Sequence, residues 1–227
     1  MALSRRSFLT LLPAFATVVA LPAGAQPKPT PHAPPTADQV AAGIQAYYDK
    51  AKSFKAGFKQ VYAAKAYAKT KEGVGSVIFQ KPGKMSWRYT NNGNRIVSDG
   101  KLIRVYEKEN RQMFEQALAK SPYPAALSFL VGGGNLKQSF KFKLGDSKQY
   151  NFEGGYVLVG EPVDPTPAYQ HLILYVDAST YQVRRVLLID AQGNKNRFDF
   201  SGTELNNPPP AGEFVFNPPK GTQVIRP

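Results

Sequence analysis

Apolar and polar positions alternate with a period of two along most of the chain, and the period changes to that of a helix in only a few places. Between Phe79 and Tyr106, Met85, Trp87 and Tyr89 alternate with Ser86, Arg88 and Thr90, which puts a large aromatic and sulfur surface on one side of a strand. The stretch is broken by Lys81-Pro82-Gly83-Lys84, Asn91-Asn92-Gly93-Asn94 and Ser98-Asp99-Gly100-Lys101, whose Pro, Gly, Asn and Asp supply the dihedrals of tight reversals. The same alternation runs from Phe54 through Ala56, Phe58, Gln60 and Tyr62, followed by a polar hairpin tip at Lys65–Lys71 and a strand at Gly73–Gln80. Further strands are expected at Gln112–Gln116, Lys141–Leu144, Tyr150–Phe152, Tyr156–Glu161, Tyr169–Asp177, Gln182–Asp190, Lys195–Thr203 and Glu213–Phe216. Their short connections imply antiparallel neighbours. The chain is thus mainly β with a few helices, and roughly 10 to 12 strands suit one strongly curved antiparallel sheet or an incomplete β-barrel.

Two segments carry helical spacing. Thr36 and Gln39 stand in capping-box register, and Val40, Ile44, Tyr47, Tyr48 and Ala51 then fall on one side at steps of three and four. Ser121 to Val131 is almost wholly apolar, starts with a proline and stops at Gly132-Gly133-Gly134; Asn135 to Phe140 adds a further turn. An apolar helix between strands serves either as a lid over the concave face of the sheet or as ordinary packing.

Composition narrows the functional classes. Residues 1–25, with Ser4-Arg5-Arg6-Ser7-Phe8-Leu9 before the apolar run Leu11 to Leu21 and Ala23-Gly24-Ala25 after it, are expected to be an export signal of the twin-arginine or Sec type. Residues 26–36 are proline-rich and read as a linker, leaving 37–227 as a single domain. Loss of Arg5 and Arg6 would take the formal charge from +13 to +11. Such a surface suits anionic lipid or an acidic partner, and an exported protein has no use for nucleic acid. There is no cysteine, and the histidines are His32 in the linker and His171 in a strand. Neither a G-x-S-x-G elbow nor H-E-x-x-H is present, so no enzyme activity, metal or cofactor is expected.

Five segments resemble, in order, the outer-membrane lipoprotein carrier family, the LolA-like periplasmic chaperones. They are Ser53-Phe54-x-Ala56-x-Phe58-x-Gln60; Gly75 to Phe79 with Lys81-Pro82 and Met85-x-Trp87; Ser98-Asp99-Gly100-Lys101 with Val105-Tyr106; Pro124-Ala125-Ala126-Leu127; and Phe214-x-Phe216-x-Pro218-Pro219-x-Gly221 with Val224. The resemblance implies a monomeric open barrel with a helical lid, a hydrophobic cavity holding the acyl chains of lipoproteins, and transfer from an inner-membrane lipoprotein-releasing ABC transporter to an outer-membrane receptor lipoprotein. The residues expected to line that cavity are Val40, Ile44, Tyr47, Leu127, Phe129 and Leu130 on helices, with Met85, Trp87, Tyr89 and Tyr106 (or its neighbour Val105) on strands. The resemblance also implies a lid latch before Pro82, where the family commonly has arginine and this chain has Lys81; Arg88 and Arg104 are the alternatives for that role. A carrier of another lipid or lipid-linked intermediate, or a sensor of mislocalised lipoproteins in an envelope stress response, would fit the same fold.

Overall fold

The computed structural model describes residues 34–67, 69–121, 128–131 and 134–227. The expected export signal and most of the linker lie outside these residues. Helix α1, Ala37–Asp49, begins at the capping box: the Thr36 hydroxyl accepts from the Gln39 amide, and the Gln39 side chain accepts from the Thr36 amide. It buries Val40, Ala41, Ile44 and Tyr48. The strands are β1 Ser53–Ala64, β2 Lys69–Gln80, β3 Lys84–Tyr89, β4 Arg95–Asp99, β5 Leu102–Glu107, β6 Gln112–Ala117, β7 Phe140–Gly145, β8 Gly155–Pro162, β9 His171–Asp177, β10 Val183–Ile189, β11 Lys195–Leu205 and β12 Gln223–Ile225. Between β6 and β7 lie a 3-10 turn, Leu118–Lys120, and two single-turn helices, α2 Ser128–Val131 and α3 Leu136–Ser139.

All twelve strands form one open, curved sheet in the order β12-β6-β5-β4-β3-β2-β1-β11-β10-β9-β8-β7. Two meanders are joined along a seam where β1 pairs with β11 from Phe54↔Leu205 to Ala63↔Lys195. Strands β6 and β7 stand near opposite ends of this order, so the segment joining them, with α2 and α3, must pass from one side of the sheet to the other. Curvature has a local cause at Gly75. A Cβ there would sit 1.8 Å from the Arg88 carbonyl oxygen and 3.1 Å from the Phe58 ring, so only glycine lets β3 bend this closely over β2.

The sequence expectations are corrected in three places. Tyr150–Phe152 is not a strand but a turn whose Tyr150 and Phe152 rings cover Tyr175 at 6.1 and 5.4 Å on the outer side of the sheet. Glu213–Phe216 alternates like a strand yet forms a turn and an irregular strap across the convex face. The chain then adds β12, which pairs in parallel with β6 at Val224↔Met113, the one parallel pair among the described residues. The helical reading at residues 122–127, including Leu127, falls outside the described residues.

Candidate functional site

Pairing register decides which side chains share a face. Trp87 stands opposite Val77 and Ile96, and Ile96 opposite Val105; Phe58 stands opposite Gly75 and Phe200. These residues form the floor of the concave side. Trp87 is fully buried there, edge-on to Phe58 at 4.9 Å and Phe79 at 5.6 Å and tilted against Phe198 at 5.3 Å. Among the described residues its indole N–H has no hydrogen-bond partner, a polar donor within an otherwise aromatic surface.

Helices close this basin. Tyr48 of α1 packs edge-on against Phe129 of α2 at 5.2 Å and lies 6.1 Å from Phe54, and Val40, Ala41, Ile44, Phe129, Leu130 and Leu136 belong to the same buried cluster as the floor. Polar ties between α1 and its surroundings are few. The Val183 amide donates to the Tyr48 hydroxyl (3.2 Å), and the Leu136 amide donates to the Gln45 side chain (3.0 Å). Burial raises the Tyr48 phenol well above its ordinary pKa, so it stays a neutral hydrogen-bonding group.

At the C-terminal end of α1 the Lys81 ammonium donates to the carbonyl oxygens of Tyr48 (2.7 Å) and Asp49 (3.4 Å). The last turn of α1 has no basic residue of its own, so Lys81 supplies the cation that the exposed carbonyls and helix dipole favour. The other two candidates for this role are engaged on the opposite face. Arg88 donates to Glu213 through Nε (3.0 Å) and Nη2 (2.8 Å), and Arg104 donates to Glu115 (2.7 Å).

At the far end of the basin the apolar floor gives way to a short polar row. The Tyr89 hydroxyl donates to the Gln60 carbonyl oxygen (2.7 Å), and the Gln60 amide donates to Asn196 (2.8 Å). Gly73 makes room for the Tyr89 ring, which approaches within 2.7 Å of where a Cβ would stand.

Of the residues singled out from the sequence, Val40, Ile44, Tyr47, Met85, Trp87, Tyr89, Phe129 and Leu130 come together in or against this one cluster. Tyr106 does not. It pairs with Arg95, which pairs with Arg88, so it lies on the convex face, where its ring meets Phe216 at 5.3 Å; its neighbour Val105 takes the concave position. Phe54, Phe58, Phe79, Phe198 and Phe200, which are not among the residues expected from the sequence, belong to the same cluster. The alternation Phe54-x-Ala56-x-Phe58 was the available signal, since it puts both rings on one side of β1.

The convex face is organised differently. Glu213, almost fully buried, accepts from Arg88 and from the Ser86 hydroxyl (2.6 Å), while Arg95 donates to Ser86 (3.1 Å) and lies over the Phe216 ring. Burial alone would raise the Glu213 carboxyl, but the hydrogen bonds from Arg88 and Ser86 outweigh it and hold the group below the usual range.

A family model described as outer membrane lipoprotein carrier protein LolA matches residues 49–217, which takes in β1 to β11 and most of the strap. The chain belongs to the LolA family. Among curated relatives, an outer-membrane lipoprotein carrier protein of Cupriavidus necator is 30% identical over 155 residues, covering 67% of this chain and 70% of that one. One of the same description from Bordetella avium is 28% identical over 225 residues, 99% of this chain and 97% of the relative. The fold is shared with a solved structure of an uncharacterized conserved protein from Thermus thermophilus, with a TM-score of 0.51 at 13% identity over 84% of this chain and 99% of that one. Among the described residues no group of three His, Asp or Glu side chains is placed to hold a metal ion.

Proposed function

We propose that the protein is a periplasmic lipoprotein chaperone that takes up acyl chains in the concave basin and carries them from the inner to the outer membrane. The observation that carries this reading is an aromatic concave face covered by helices with few directional bonds. Hiding an acyl chain from water is worth about 0.8 kcal/mol per CH₂, so a carrier needs a large apolar enclosure. It must also give the load up. A helix held mainly by apolar contact can exchange with an acyl chain of similar chemistry, and its return then competes with the ligand. In this scheme Lys81 is the latch that favours the closed form, and Val40, Ile44, Tyr47, Met85, Trp87, Tyr89, Phe129 and Leu130 line the opened cavity. The donor is an inner-membrane lipoprotein-releasing ABC transporter and the acceptor an outer-membrane receptor lipoprotein. Residues 1–25 act as the export signal and 26–36 as a linker to the domain.

The test is to identify by mass spectrometry what copurifies from the periplasm, and to offer the delipidated protein to spheroplasts loaded with triacylated lipoprotein. Release of lipoprotein into a soluble complex is the expected result. Recovery of a different lipid with no lipoprotein release would instead identify a carrier of that lipid.

A further inference from the structure

The hairpin of β1 and β2 reaches past β3 on one side, while on the other β11 follows it to Ala63↔Lys195. Its two strands pair with each other as far as Ala64↔Lys69, whereas β3 stops pairing at Gly75↔Tyr89, beyond which only Thr90 and Asn91 reach β2. The segment Lys69–Lys71 therefore runs on for about 10 Å, at the ordinary rise of a strand, past the last contact from the β3 side at Glu72. The tip carries Tyr67, 77% exposed, together with exposed Lys65, Lys69 and Lys71; exposed Lys195 is added by β11 opposite Ala63. Between the hairpin and the β10–β11 turn is a shallow groove of about 530 Å³, floored by Ala63, Ala64 and Ile189 and rimmed by Lys65, Lys69 and Lys195.

Among the described residues no carboxylate forms an ion pair with Lys65, Lys69, Lys71 or Lys195. Glu72 pairs with Lys59 at 3.0 Å, and Asp190 accepts from Asn194 and from the Gln192 amide within its own turn. By register Lys69 and Lys71 stand on the concave face, opposite Ala64 and Tyr62, and Lys195 on the convex face, opposite Ala63, so the tip presents positive charge on both sides of the hairpin. An exposed tyrosine among lysines suits a bilayer surface, since its ring partitions to the headgroup boundary and its hydroxyl stays wet. Basic groups near an anionic leaflet add to attraction individually.

We propose that this hairpin tip docks the protein on an anionic membrane surface, with Lys65, Lys69, Lys71 and Lys195 against phosphate headgroups and Tyr67 at the headgroup boundary. The surface is separate from the acyl basin, so the proposal does not depend on what the basin carries.

Flotation of the purified protein tests it, using vesicles of phosphatidylethanolamine with phosphatidylglycerol and vesicles of phosphatidylcholine alone. Binding is expected only to the anionic vesicles and should weaken as salt rises. Replacing Lys65, Lys69, Lys71 and Lys195 together by Gln should lower partitioning on the order of a hundredfold or more, at about fivefold per lysine. A second variant, Tyr67→Trp, reports position directly, because Trp87, the only native tryptophan, is buried and gives a constant background. The emission of the added indole should shift to the blue on binding and be quenched by brominated lipid. The proposal is overturned if anionic vesicles are not bound, or if binding survives in a folded Lys→Gln variant. Binding that leaves the Tyr67→Trp emission unchanged overturns it as well, even if the lysine variant fails to fold. So does capture of an acidic protein by the tip without any affinity for lipid.

Discussion

The two faces of strand β3 show how one strand can serve opposite physical tasks. Met85, Trp87 and Tyr89 point into a basin where contacts are made by rings and methyl groups; Ser86 and Arg88 point outward to a carboxylate held in a network of charge-assisted hydrogen bonds. Dispersion and burial have no direction, so the inner partners of Trp87 are replaceable by another apolar body of similar size. The Arg88–Glu213 contact is bidentate and directional, and nothing apolar can substitute for it. The difference separates α1, which packs on the basin mainly through apolar contact, from the strap that runs from residue 206 to 222, which is held by charge-assisted hydrogen bonds.

The largest expected effect comes from emptying the inner side. Trp87→Ala should lower stability by about 4 kcal/mol, read from the midpoint of urea unfolding. If the inner contacts are non-directional as described, saturating fatty acid should recover part of that loss. Gly75→Ala forces a methyl against the Arg88 carbonyl and should cost about 3 kcal/mol, with no recovery by ligand because backbone is displaced. On the outer side Glu213→Gln should cost about 1.5 kcal/mol, limited because Arg88 is half-exposed, and fatty acid should restore none of it. Equal rescue of Trp87→Ala and Glu213→Gln would dissolve the distinction between the faces.

Lys81→Leu removes the donor to the last turn of α1 and should weaken its closure by about 1 kcal/mol, seen as faster hydrogen exchange of the α1 amides and faster uptake of a fluorescent fatty acid. Unchanged exchange would show that apolar contact alone sets the closed state. The remaining effect is confined to acid. The hydroxyls of Ser179 and Thr180 and the Thr180 amide lower the Asp177 carboxyl to about 2, against about 3.9 in an unfolded chain. Because the folded-state value is the lower one, its stabilising contribution is complete above pH about 4 and is lost as pH falls towards 2. Asp177→Asn should flatten the fall of the unfolding midpoint across that window.

Most of this architecture was legible in alternation and turn chemistry. Helix α1 was readable from Thr36 and Gln39, and the inner surface from Met85-x-Trp87-x-Tyr89, because both signals are local. Three features depend on distant partners and could not be read so. Val105 and Tyr106 are adjacent and both apolar, so periodicity alone does not say which faces inward; the strap decides it by placing Phe216 over Tyr106. Tyr150 and Phe152 resemble a strand because they are apolar, but what they cover is Tyr175, a residue far along the chain. Strand β12 is only three residues long and exists because Arg111 and β6 offer it an edge, with the Gln223 amide donating to the Arg111 carbonyl at 2.9 Å.

The seam between β1 and β11 has a consequence for how the chain is made. Lys55 and Glu204, joined across it, are 149 residues apart, so the first strand cannot find one of its two partners until nearly all of the polypeptide has been synthesised. Until then a twelve-residue edge bearing Phe54, Ala56 and Phe58 stands open to any strand of suitable pattern. Contacts of such long sequence separation slow the final step of folding. Nascent chains truncated before β11 should accordingly stick to each other, or to general chaperones, far more readily than the finished protein does.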